Sequence, residues 1–154
     1  MKLIAHDIFS FGLGTYVLAR LGAGIAASVI LAFLLSIAVN RVIDAGHYQK
    51  NGRPTRSYFT HSVFTAPVWG LLLGLAISCI ALFVFNVDLL LLGAIAGTLA
   101  AFAHLFLDSL TEGGMFLWKG RIALAHFRYD NGLANGLAIM AGVALLLLTV
   151  VWIP

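Results

Sequence analysis

Long apolar runs separated by short polar breaks set the pattern of this chain. Residues 66–85 carry no charged side chain, and Asn86 to Asp88 make a polar break after them. The run then returns from Leu89 and closes on "AHLFLDS", where a histidine and an aspartate stand four residues apart. A further uncharged stretch covers 133–153. Each run has the roughly 20 residues that carry a helix across about 30 Å of hydrocarbon. Ahead of Asn40 the pattern is less regular: Ile8 to Val39 would fit one long tilted span or a hairpin of two. Arg20 decides between them, because an arginine at mid-membrane costs at least about 2.5–3.5 kcal/mol. In "ARLGAG" it stands beside two turn-permissive glycines, which makes it the end of a short first helix. The pattern predicts five spans, at about 4–19, 22–41, 62–85, 89–110 and 133–153.

Composition agrees with that reading. The chain has 154 residues, one domain by length, with 62% hydrophobic and 10% charged residues. A mean hydropathy of +1.03 is far above what a water-soluble domain of this size can bury. Uninterrupted runs favour helices over barrel strands, so the expected fold class is all-α, a polytopic transmembrane bundle in one domain, 1–154. The expected surroundings are the lipid bilayer, and no nucleic-acid partner is expected. A single cysteine, Cys79, excludes an internal disulfide and argues against a thiolate metal site. The N-terminal stretch lacks a small-residue cleavage site and is interrupted early by His6 and Asp7, so it does not read as a removable signal peptide. Gly70, Gly74, Gly93 and Gly97 recur at spacing four, a close-packing pattern that suits contacts inside the bundle and contacts in an oligomer alike.

Charge placement orients the bundle. With five spans, the N-terminus and the 41–62 and 109–132 loops share one side. Lys2, Arg41, Lys50, Arg53, Arg56, Lys119, Arg121 and Arg128 all fall there, and only Arg20 lies opposite. The positive-inside rule assigns that side to the cytoplasm, with the N-terminus on it. His6, His47, His61, His104 and His126 fall on the same side.

Candidate chemistry gathers at this level. His104 and Asp108 share a helix face one turn apart. Asp44 and His47 close the second span, His61 opens the third and His6 opens the first. Each alone reads equally as a hydrogen-bonded pair, a solvated helix end or an interfacial histidine. Together they bring imidazoles and carboxylates from four helix ends to one depth, where ionisable groups mark function. Nitrogen and carboxylate donors without sulfur suit Zn²⁺ first, then Mn²⁺ or Fe²⁺, as one ion or two. Arg56 is a candidate to hold an anionic substrate and stabilise developing charge, with Thr60 and Ser62 as donors or helix caps. Glu112, after the fourth span, is the candidate general base.

These residues resemble a known pattern. "THS" opening one span and "HLFLDSLTEGG" closing the next are similar to the YdjM-like family of inner-membrane, metal-dependent hydrolases. The matching positions are Thr60, His61, Ser62, His104, Leu105, Leu107, Asp108, Thr111 and Gly114, with His6 and Asp44 earlier in the chain. Arg56 and Ser57 stand where that family has His-Arg, so His47 is the candidate to replace the missing ligand, as in an archaeal-type uncharacterised branch. The resemblance implies a hydrolase in the cytoplasmic membrane, acting on a phosphoester or an anionic lipid headgroup. A small metal-ion or proton transporter, and a scaffold with a structural metal, are the alternatives.

Overall fold

In the computed structural model, residues 1–50, 53–118 and 120–151 are described. The elements run α1 (Leu3–Arg20), α2 (Ile25–Asp44), β1 (His47–Lys50), β2 (Arg53–Arg56), α3 (Tyr58–His61), α4 (Ala66–Phe85), α5 (Leu90–Ser109), β3 (Met115–Leu117), β4 (Gly120–Ile122) and α6 (Gly132–Val151). Among the described residues four helices, α2, α4, α5 and α6, are each long and apolar enough to cross a membrane. Twenty residues at 1.5 Å rise give each about 30 Å. The protein is therefore largely helical, with four helices of the length and composition of membrane spans. α1 is not among the four: its 18 residues include His6, Asp7, Ser10 and Thr15. It nevertheless packs along α6, α2 and α5. The expected end of the last span at Ile153, like Lys119, lies outside the described residues.

Two boundaries differ from the sequence reading, and both have local causes. The third span begins at Ala66, not at 62. Pro67 is compatible only with the first turn of a helix, where its missing N–H is not needed. Residues 58–61 form the separate short α3, and the backbone is extended at Ser62. Neither Thr60 nor Ser62 caps a helix as expected. Ser57 caps α3 by accepting the Phe59 N–H at 3.2 Å, while Ser62 Oγ accepts from Phe64 at 3.3 Å. The polar loops also contain two antiparallel hairpins, β1–β2 and β3–β4, which an all-helical reading did not include. The sequence signal for the first is Asn51-Gly52, the commonest two-residue hairpin turn.

The core lies between α2 and α5. Leu31, Leu35, Val39 and Ile43 pack on Ala96, Ala100, Ala101 and Leu105. The outer surface is apolar instead of polar: Phe83, Val84, Phe85, Leu91 and Val150 are exposed, as lipid-facing side chains are. α4 and α5 form a tight hairpin whose contact is made of glycine. A Cβ at Gly70 would fall on the Gly97 carbonyl, and one at Gly74 on the Gly93 carbonyl. The spacing-four glycines thus serve packing within the bundle.

Candidate metal centre

Every ligand candidate arrives from the end of an element, at the same end of the bundle. His6 comes from the second turn of α1, Asp44 ends α2, His47 begins β1, His61 ends α3, and His104 and Asp108 lie in the last turns of α5. Asp108 is the hub. Its Oδ2 lies 3.2 Å from His104 Nε2 and 3.7 Å from His61 Nε2. Asp44 Oδ1 lies 3.5 Å from the same His104 nitrogen and 3.7 Å from His47 Nδ1. The rings of His6 and His104 stack at 4.0 Å, those of His47 and His61 at 4.6 Å. His6, His61, His104 and Asp108 are fully buried, whereas Asp44 is 24% and His47 42% exposed.

Burial of this many polar groups is costly unless each finds a partner. Here the outer nitrogens of His61 and His104 do, whereas His6 Nδ1 and the inner donor atoms do not. His61 Nε2, His104 Nε2 and Asp108 Oδ2 are buried without any hydrogen-bond partner, despite the short distances between them. They face one another but are not aligned to donate and accept. Their second nitrogens are held from outside. His61 Nδ1 meets Thr60 Oγ1 at 2.8 Å. His104 Nδ1 meets Asn40 Oδ1 at 3.0 Å, and Asn40 Nδ2 donates to Asp7 Oδ1 at 2.9 Å. Asp7 in turn accepts from Arg41 at 3.2 Å. A carboxylate only accepts, so Asn40 must turn its amide nitrogen to Asp7 and its oxygen to His104. That assigns the proton of His104 to Nδ1 and a lone pair to Nε2, the arrangement that prepares a histidine to ligate a metal. Asn40 and Asp7 were not singled out in the sequence. Their signal was a buried-helix asparagine on the face of Asp44, at i and i+4 in "NRVID".

Electrostatics agree. Burial pushes the His61 imidazole down to about 3 even though Asp108 works in the opposite direction. The ring is neutral at pH 7 and able to ligate. Burial also lowers His47, opposed by Asp44. Among the described residues two donor sets could hold a metal ion: His6, His104 and Asp108, and Asp44, His61 and His104.

Arg56 does not stand free at the rim. Its Nη2 donates to Asp108 Oδ1 at 2.8 Å, and its Nη1 donates to the Gly114 carbonyl. A Cβ at Gly113 would collide with the guanidinium, so the Gly-Gly turn is shaped around it. The remaining Asp108 oxygen contacts are His6 Nε2 and the Met1 amino group, both at 3.3 Å. Glu112 is exposed in the turn after α5, its backbone N–H donating to Phe127 O, and it is not among the converging groups. His126 is exposed as well. Asn135 bonds from α6 to the start of α1, accepting the Lys2 N–H at 2.9 Å.

Residues 1–107 match the family described as a protein of unknown function, DUF1286. The chain belongs to the DUF1286 family. This corrects the resemblance to the YdjM-like hydrolases, a different family. Within this DUF1286 chain the matched stretch holds His6, Asp44, His47, Arg56, His61 and His104, and it ends one residue before Asp108. Comparison with curated proteins and with solved structures finds no match.

Proposed function

We propose that this chain crosses the cytoplasmic membrane five times, with its N-terminus in the cytoplasm. At that face it holds one divalent metal ion, Zn²⁺ first, for hydrolysis of a phosphoester or lipid headgroup. One observation carries the metal: buried donor atoms of His61, His104 and Asp108 converge without hydrogen-bond partners, with Asp44 beside them. Bonds of about 2.0–2.1 Å in a tetrahedral zinc site set neighbouring donors roughly 3.3–3.4 Å apart. The separations of 3.2, 3.5 and 3.7 Å found here bracket that edge. With Nδ1 of His104 engaged by Asn40, that ring offers a single nitrogen, so the two overlapping donor sets compete for one ion. Mn²⁺ and Fe²⁺ accept the same donors.

The five-span topology is supported by α1, whose His6 stacks on His104 at the same end as the other ligands. Lys2, Arg41, Arg56, Arg121 and Arg128 belong to that end, which the positive-inside rule assigns to the cytoplasm.

A metal ion in this position supplies Lewis-acid activation of water and of the scissile bond. The chain's own residues do the rest. Asp44 and His47, the two partly exposed members, form the open side on which substrate and water arrive. His47 is the base at that rim, 3.7 Å from Asp44. Arg56 holds one Asp108 oxygen and leaves the other aimed inward without a hydrogen-bond partner. Metal analysis of the purified protein tests the site: stoichiometric Zn²⁺ is expected, lost in His104→Ala and Asp108→Ala. Turnover of a soluble phosphomonoester, abolished by the same changes, tests the hydrolase. A protein that binds metal without hydrolysing any member of a phosphoester panel would overturn the enzymatic half alone.

A further inference from the structure

We propose that the substrate is a membrane lipid with an anionic headgroup, and that its acyl chain enters sideways through a groove between α5 and α6. This deepens the hydrolase reading and rests on it. α6 packs along α1, and α1 packs along α5, leaving a gap between α5 and α6 floored by Phe9. The gap has a volume of about 220 Å³. Its walls are Phe106 and Leu110 on one side and Leu137, Ala138 and Ala141 on the other, almost wholly apolar. That is narrow for a compact ligand but suits a thin hydrocarbon chain.

Depth and continuity point to an acyl chain as the occupant. Both walls are helices apolar enough to cross a membrane, so what meets the opening is bilayer hydrocarbon. Ala141 lies nine residues into α6, about 13 Å from its start. The other end of the groove is lined by Met1, Leu107 and Phe127. Leu107 precedes Asp108, and the Met1 amino group is 3.3 Å from the Asp108 carboxylate. A chain lying in the groove therefore leads its headgroup toward the metal ligands. Lys2, exposed beside Met1, puts a cation at that mouth that favours an anionic headgroup, while Arg128 beside Phe127 is paired with Asp130 at 3.3 Å.

The test uses the full-length protein in vesicles of zwitterionic phospholipid containing a small fraction of anionic phospholipid with a photoreactive group on its acyl chain. Adducts are mapped by mass spectrometry. Saturable labelling is expected at Phe106, Leu110 and Leu137, competed by unlabelled anionic lipid and not by zwitterionic lipid. Labelling of the outward face at Phe83 and Phe85 should be non-saturable. Ala141→Phe, a substitution at an exposed position that fills the groove, should lose the groove adducts while retaining full metal content, and Leu137→Trp should do the same. Groove labelling that neither saturates nor distinguishes headgroups would overturn the proposal, since the groove would then hold only annular lipid. Both arms read binding, so they stand or fall independently of turnover. If hydrolysis of soluble phosphomonoester persists in Ala141→Phe while hydrolysis of long-chain lipid is lost, the groove is the substrate path. Equal loss of both would count against it.

Discussion

His104 shows how much is settled by one side chain that does not itself reach the ligand. Asn40 holds its Nδ1, and Asp7 holds Asn40, so the lone pair of Nε2 is turned inward before any ion arrives. Asn40→Ala should weaken metal affinity by about 10–100-fold, the usual effect of losing such an outer partner. Competition with a calibrated chelator measures it, and unchanged affinity would mean that the tautomer is set elsewhere. His61 yields a second expectation at this scale. Its folded pKa of about 3 lies below the ordinary 6.5, so below pH 6.5 the unfolded chain binds the proton more readily. Its contribution to stability is therefore fully present above about pH 6.5 and declines as pH falls from there toward 3. The thermal midpoint of metal-free protein in detergent should fall across that window, with a shallower slope in His61→Gln. Part of this site was legible from spacing alone: His104 with Asp108 is a one-turn pair, and the other histidines end helices. Asn40 was not, because an asparagine at a helix end usually faces water, and only tertiary packing turns this one inward.

At the level of elements, glycine determines how closely the scaffold of the site can assemble. Gly70 with Gly97, and Gly74 with Gly93, let the backbones of α4 and α5 touch. α5 carries His104 and Asp108 above that contact. Gly97→Val should cost at least the roughly 1–3 kcal/mol of ordinary overpacking, since the obstacle is backbone, which cannot change rotamer. It should also lower metal occupancy by displacing the end of α5; a lowered melting midpoint with unchanged metal content would separate the two effects. Long apolar runs located α4, α5 and α6 to within a few residues, because span length is fixed by the bilayer. The hairpins and the late start of α4 escaped that logic. The late start of α4 depends on the position of Pro67, and the Asn-Gly signal of the first hairpin is a turn signal; hydropathy weighs neither.

Taken whole, the molecule places all six candidate ligands at one end and Arg20 with the Asn86–Asp88 turn at the other. Single-cysteine labelling of intact cells should find Gly22→Cys reactive from outside, and His126→Cys reactive only after permeabilisation. The reverse pattern would invert the orientation, and reactivity of both from outside would remove α1 from the membrane. His61 differs from the other buried ligands, since it is not on a long helix. It sits on α3, separated from α4 by the extended Ser62. The segment is bonded to the loops, where Val63 N–H donates to Phe116 O and Ser57 N–H to Gly46 O. It is also bonded to the start of α4, where Trp69 Nε1 donates to Phe59 O and Thr65 Oγ1 to Tyr58 O. For the proposed ion, the expected kinetic consequence is entry and release by a shift of this short segment while the long helices stay packed. Exchange with a chelator should then run far faster than global unfolding, and a disulfide tethering α3 to β3 would slow it without altering the melting midpoint of the bundle.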